Sequence, residues 1–359
     1  MSDGRVLVAG AGLAGLALAV RLLAAGRDVL VLEADGRAGG QIDTFVEGEL
    51  VVELGAEGFV ARSRAVPDLC ALLGIESALV DQLTTDTFAV EGGSFVLLPP
   101  GEAARRLGFQ VPNEELGRGI RSLERGMGQL IEALLARLGS ERVLTAAPVS
   151  ALRRVTSGLE LELADGQRML ADNMVVATPA RLAAALLEPL GAVDIDALVG
   201  ARTMSNVSVN LLYRRAKLRD VPAGSGLLFP ESFADRGLRA ATFVNHKFAR
   251  RAPADCALLR VFFRPSAAAL SEWSDQRFAS EAASAIAQVL EVSGGPERHW
   301  VSRWVDALPV FSPAYREQVA ALDDALTGIG VHLTGSAFHG AGIDAAVTSA
   351  ERVAARLLH

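Results

Sequence analysis

Val6-Leu7-Val8-Ala9-Gly10-Ala11-Gly12-Leu13-Ala14-Gly15, followed as far as Glu33, decides the fold. Val6–Ala9 is apolar without polar alternation, as in a strand buried on both faces. Gly10, Gly12 and Gly15 then form a GxGxxG. Leu13 to Ala25 has helical length and composition, and Gly26 ends it. Asp28 to Leu32 reads as a second buried strand, finishing at Glu33, 23 residues after Gly10. Strand, glycine loop, helix, strand and terminal acid in this register make a dinucleotide-binding βαβ unit. Gly10 allows the tight turn, Gly12 lets the backbone approach a pyrophosphate, and Gly15 lets helix and strand pack closely. Leu13 and Ala14 open the helix whose free N–H groups and positive end face the phosphates. The Glu33 carboxylate accepts from ribose hydroxyls, and its charge disfavours the 2′-phosphate of NADP.

Working outward, the 359 residues suggest about two domains at roughly 150 residues each. Half the residues are hydrophobic, which excludes a disordered chain. With 35 Lys+Arg against 42 Asp+Glu the net charge is −7, which argues against nucleic acid as a partner. The two cysteines, Cys70 and Cys256, lie far apart and lack metal or CxxC spacing. Neither a disulfide nor a metal site is expected, and a reducing, cytoplasmic setting fits. Val6 to Val20 is uncharged and follows Arg5, like a signal peptide. It is too short for a membrane span, and its glycines follow the nucleotide pattern instead.

The dinucleotide motif continues beyond Glu33. Ala34 and Gly36-Arg37-Ala38-Gly39-Gly40-Gln41 follow Glu33 closely, with a glycine pair for backbone approach and Arg37 as a cation for phosphate. Leu54-Gly55-Ala56-Glu57 comes next. Near the C-terminus, Thr334-Gly335-Ser336 makes a turn and Gly340-Ala341-Gly342-Ile343-Asp344 opens a helix, with Asp344 in its first turn. Val175-Val176-Ala177-Thr178-Pro179 ends a middle strand, and Asp165-Gly166 marks a hairpin. Together these resemble the FAD-containing amine oxidase superfamily. The resemblance implies an α/β fold: a Rossmann-like (GR2-type) FAD-binding domain with a discontinuous antiparallel-sheet substrate domain. It implies noncovalent FAD, held by Gly10, Gly12, Leu13, Ala14, Gly15, Glu33, Ala34, Arg37, Gly39, Gly40, Gln41, Gly55, Ala56, Glu57, Val149, Thr178, Gly335, Gly342 and Ile343. Residues 1–75, 122–200 and 320–359 would form the FAD domain, and 76–121 and 201–319 the substrate domain.

Within that superfamily the chain resembles the protoporphyrinogen and coproporphyrinogen oxidases along nearly its whole length. The resemblance is carried by Leu54 to Arg62, by Arg125-Gly126-Met127-Gly128 before a helix, by Asn245-His246-Lys247-Phe248 followed by Leu258-Leu259-Arg260-Val261, and by Arg303-Trp304 followed by Ala307-Leu308-Pro309. Two departures accompany it. The family inserts a long helical lobe where only Pro99 to Ser122 stand here, and Ala314-Tyr315 replaces a family Gly-His. That lobe carries the family's membrane contact, so its absence implies a soluble enzyme without stable membrane insertion.

The expected reaction is hydride removal from a small organic substrate, a porphyrinogen or another apolar planar metabolite, onto the flavin, with O2 as re-oxidant. Arg62 is the candidate for holding a propionate, His246 for a pocket base, and Trp304, with Trp300 and Phe311, for lining an apolar cavity. His339, beside the C-terminal motif, is a further candidate for touching the cofactor. No acid–base constellation is evident, and no catalytic residue or metal ligand is assigned. Two other classes stay open: an oxidase, desaturase or isomerase of an amine or specialised metabolite, and a non-catalytic flavin-binding partner protein.

Overall fold

In the computed structural model, which describes residues 4–108, 118–156, 158–191 and 193–359, Val6–Ala9 is the middle strand of a five-stranded parallel sheet. The order is Val143–Leu144, Val29–Leu32, Val6–Ala9, Asn173–Val176, Val331–Leu333. All four residues of the middle strand are buried, as its unbroken apolar run requires. Helices Leu13–Ala24, Ala65–Leu73, Gly128–Leu138 and Ile343–Leu358 supply one apolar layer. Helices Ala180–Leu187 and Pro313–Thr327 cover the other face with the three-stranded meander Val149–Val155, Gly158–Leu163, Arg168–Ala171. The meander turns at Asp165-Gly166, where Gly166 takes a φ of 87°.

The second large sheet has seven strands in the order Arg298–Pro309, Thr203–Arg214, Cys256–Phe263, Leu238–Phe243, Gly226–Leu228, Thr87–Glu91, Ser94–Leu97. It is antiparallel save for one parallel pairing, Gly226–Leu228 with Thr87–Glu91. Those two strands are distant in sequence, so no hairpin fixes their sense. One face is apolar: Val207, Val209 and Leu211 pack with Phe278, Ala282 and Ile286 of helix Asp275–Val289. The alternate residues Ser208, Asn210 and Arg260 are buried on the opposite face. A strand with period-two polarity thus has both faces covered, and its polar side turns toward the nucleotide sheet.

The stretch from Pro99 to Ser122 begins with helix Glu102–Arg106. Ala103 and Leu107 pack on the cluster of Ala89, Leu98, Leu228 and Ala240 at the large sheet. The strand Ile120–Leu123 then returns to pair with Phe59–Val60 and Leu79–Asp81.

Candidate active site

At the nucleotide end, Gly10 has a φ of 108°, a value open to glycine. Gly15 sits against the strand so closely that an added Cβ would lie 2.1 Å from the Gly10 carbonyl oxygen. Gly12, the N-cap of Leu13–Ala24, is the opposite case: an added Cβ meets no atom within 4 Å. Each Glu33 carboxylate oxygen accepts one backbone N–H, from Ala11 at 2.7 Å and from Asp35 at 3.0 Å. A carboxylate has about four acceptor positions, so both oxygens retain capacity for ribose hydroxyls. Val149 begins the strand that follows Ala147, whose N–H donates to the Glu33 carbonyl at 2.8 Å. Gly39 donates to the Ala11 carbonyl at 2.8 Å, which seats the Gly39-Gly40 pair on the glycine loop. The Arg37 guanidinium donates to the carbonyls of Gly40 and Ile42 at 2.9 and 3.1 Å, so it organises the turn beside exposed Ala34.

The C-terminal motif closes on the same place. Gly335 approaches Ala14, with an added Cβ at 3.5 Å from the Ala14 methyl. Gly342 is the N-cap of Ile343–Leu358 and faces open space. Ser63 donates to Asp344 in the first turn of that helix, which brings the turn after Phe59–Val60 to the helix start. Thr178 carries a buried hydroxyl oxygen without a partner among the described residues. Open cradles at Gly12 and Gly342, an acid with spare acceptor capacity and an orphaned hydroxyl fit a dinucleotide lying from Glu33 to Gly342.

Between the two sheets runs Leu54–Glu57. Ala56 donates its N–H to the Gln41 carbonyl at 2.9 Å, and a Cβ on Gly55 would lie 2.1 Å from the same oxygen. From the other side, Trp304 Nε1 donates to the Leu54 carbonyl at 2.9 Å and Arg260 to the Gly55 carbonyl at 2.7 Å. Asn210 donates to the Glu53 carbonyl at 3.0 Å. Gln41 itself reaches the Ala307 carbonyl at 2.6 Å. Five charged side chains gather here: Glu53, Glu57, Lys247, Arg251 and Arg260. Burial alone would raise the Glu57 carboxyl, but Lys247, bonded to it, and Arg260 outweigh that and hold it below the usual range. Burial pulls both guanidinium groups down while Glu57 and Glu53 push back; guanidinium stays charged regardless.

Glu53 is 5% exposed and accepts from Met127 N–H at 2.7 Å and from Thr44 Oγ1 at 2.6 Å. Burial pushes its carboxyl from 4.5 up to about 7, against those two hydrogen bonds. The folded chain therefore keeps a proton at Glu53 that the unfolded chain releases, and the contribution of Glu53 to stability falls from pH 4.5 to about 7 and then levels. At roughly 1.4 kcal/mol per unit the loss is about 3 kcal/mol. Glu53→Gln, whose amide oxygen still accepts from Met127, is expected to match the parent near pH 5 and to exceed it near pH 8. Unfolding curves at both values check this; an equal difference at both would refute it.

The remaining predicted residues separate. Arg62 is exposed in the turn that precedes Ser63. His246 lines a different cavity of about 170 Å3, with Arg215, Phe243 and Leu259. Its neighbour Lys247 is the one that reaches Glu57. The three aromatic candidates make separate contacts: Trp300 packs on Phe45 at 5.5 Å, Phe311 on Tyr315 at 5.7 Å, and Trp304 staples Leu54. His339 turns inward, its Nε2 3.2 Å from the Leu333 carbonyl, and burial lowers its pKa. Sequence reasoning missed Glu53, Arg251 and Arg260 as members of the site. The available signal was a charge inside the apolar run Leu258 to Phe263, which a buried strand admits only where it is bonded. Among the described residues no cluster suits a metal ion, and no helix is long and apolar enough to cross a membrane.

Comparison with known proteins agrees with this geometry. The model of the flavin containing amine oxidoreductases matches residues 13–106 and 104–358. The chain is 23% identical to coproporphyrinogen III oxidase of Bacillus subtilis (strain 168), covering 96% of each chain. It is 25% identical to coproporphyrinogen III oxidase of Mycobacterium leprae, covering 98% of each. The Bacillus alignment runs over 453 positions against 359 residues here, so that relative holds insertions this chain lacks. A crystal structure from Exiguobacterium sp. 255-15 that carries the name protoporphyrinogen oxidase superposes with a TM-score of 0.84 at 20% identity, covering 100% of this chain and 99% of the other. The nucleotide cradle, the two sheets and the match along the chain lead to one assignment: this chain belongs to the flavin containing amine oxidoreductases and is an FAD-dependent oxidoreductase resembling the porphyrinogen oxidases.

Proposed function

We propose that the chain oxidises a porphyrinogen, or a similarly reduced and largely apolar macrocycle, with O2 as the final acceptor. The observation that carries this is similarity to coproporphyrinogen III oxidases over nearly the full length of both chains. Bound FAD would supply the two-electron acceptor; the chain supplies position and electrostatics. Gly12, Leu13, Ala14 and the start of Ile343–Leu358 would hold the pyrophosphate and the pyrimidine end, Glu33 the ribose, and Gly55-Ala56-Glu57 the ring. Gly39, Gly40 and Gln41 would fix the loop between them, and Arg62 would meet a substrate carboxylate. Residues 1–75, 122–200 and 320–359 would hold the cofactor, and 76–121 and 201–319 would cover it. A cytoplasmic location belongs to the same reading, supported by two unpaired, buried cysteines.

The test is anaerobic mixing of the yellow protein with coproporphyrinogen or protoporphyrinogen, following flavin bleaching and porphyrin fluorescence together. Matched, rapid changes in both are expected. Flavin that stays oxidised would remove porphyrinogens as substrates, and amines would be tried next.

A further inference from the structure

The wall between the two sheets holds more positive charge than its carboxylates balance. Lys247 is bonded to Glu57. Arg251, 1% exposed, gives one terminal nitrogen to Ser122 Oγ and the Leu123 carbonyl, each at 2.9 Å. Arg260 is less well met. It is 4% exposed, in the middle of strand Cys256–Phe263. One terminal nitrogen serves the Gly55 carbonyl at 2.7 Å and Ser208 Oγ at 3.2 Å, while Nε is buried without a partner among the described residues. Across the strand pair Thr242, in register with Arg260, also has a buried hydroxyl without a partner among the described residues. The guanidinium carbon lies 5.0 Å from the centroid of the Phe262 ring. Glu53, the other carboxyl of the group, is about half protonated near neutral pH. A buried cation with an unmet donor is costly unless an anion joins it.

We propose that Arg260 is a positioning residue for the cofactor: a fixed cation behind Gly55 that favours the reduced, negatively charged isoalloxazine over the oxidised, neutral ring. This rests on the placement of the ring against Leu54–Glu57 proposed above. An opposite charge in a water-poor site favours the charged form of its neighbour, and charge beside the ring is one of the means by which a protein tunes a flavin. Glu57, on the same segment, acts with the opposite sign.

The experiment measures the two-electron reduction potential of bound FAD by equilibration with a redox dye, without substrate, so failure of the porphyrinogen reading leaves it intact. Arg260→Gln is expected to lower the reduced-to-oxidised ratio at a given potential about tenfold, a shift of about 30 mV for two electrons. Arg260→Lys, which keeps the charge, should stay near the parent, and Glu57→Gln should shift the potential upward. A merely structural role would move the Gln and Lys variants of Arg260 together, and that result overturns the proposal. A shift in Glu57→Gln with none in Arg260→Gln overturns it while leaving the ring where it was placed. No shift in either overturns the placement as well. Should Arg260→Gln fail to hold FAD, Glu57→Gln still decides: a fall or no change overturns the proposal.

Discussion

Gly12→Val is expected to fold as the parent does and to emerge without flavin, whereas Gly15→Ala is expected to lower the stability of the fold itself. The two positions are three residues apart in one motif, yet they meet different surroundings. Gly12 has φ −70° and ψ 176°, a conformation open to any residue. A Cβ there touches nothing within 4 Å, so the folded chain tolerates it. That open space is where the pyrophosphate is proposed to approach, and a valine side chain would fill it. We expect flavin affinity to fall at least about a hundredfold, the equivalent of roughly 3 kcal/mol. At Gly15 a Cβ would lie 2.1 Å from the Gly10 carbonyl oxygen and 3.3 Å from the Ala177 methyl, between helix and strand. Relief needs a backbone shift in the core, and overpacking of this kind costs about 1–3 kcal/mol or more. The checks are the flavin-to-protein absorbance ratio after gel filtration and the melting temperature of each variant beside flavin-stripped parent. A Gly12→Val protein with a full complement of flavin would refute the cradle.

This contrast also marks how far the sequence could be read. Val6 to Glu33 was legible because strand, glycines, helix and acid are close in sequence and each has a local physical reason. The same holds for the C-terminal turn and helix, where Gly342 and Asp344 mark the start of Ile343–Leu358. The wall over Leu54–Glu57 was not legible in this way. Asn206, Ser208 and Asn210 alternate with Val207, Val209 and Leu211, which signals a two-faced strand. Alternation does not say whether the polar face meets water or another sheet, and here Ser208 and Asn210 are buried. Arg37 shows the same limit. A cation beside a glycine pair suggests phosphate; what the spacing does not show is that the folded loop also brings the carbonyls of Ala38, Gly40 and Ile42 within reach of the guanidinium, which donates to them. Trp300 and Trp304 do share a strand face; what each touches depends on which segment lies opposite, Phe45 for one and Leu54 for the other. Pairings distant in sequence, such as Gly226–Leu228 with Thr87–Glu91, leave no local trace at all.

Lys247→Met should be among the most destabilising single changes in the chain, and its effect should depend on pH in a direction that a packing defect would not produce. The Lys247 and Glu57 side chains are 12% and 10% exposed and bonded to each other. Removing the ammonium while keeping most of its aliphatic volume leaves a carboxylate buried beside Gly55. Breaking a buried pair from one side costs about 3–5 kcal/mol near neutral pH, because the remaining charge stays desolvated. In the parent, burial tends to raise the Glu57 carboxyl, yet Lys247 and Arg260 hold it below the usual range. A depressed carboxyl contributes stability that is present above its unfolded pKa and is lost as pH falls through the lower folded value. The parent should therefore lose this contribution in acid. In the Met variant burial is opposed by one cation fewer, so the carboxyl takes up a proton at higher pH, and protonation relieves the unpaired charge. The stability gap between parent and variant should thus be widest at neutral pH and narrow as the solution is acidified. Lys247→Met combined with Glu57→Gln should recover much of the loss, since replacing both partners removes the stranded charge. Urea unfolding of the four chains of this cycle at neutral and acid pH measures the coupling. A gap that keeps its width across pH, or a double variant as weak as the single one, would assign the loss to packing around the short helix Val244–Lys247 rather than to the ion pair.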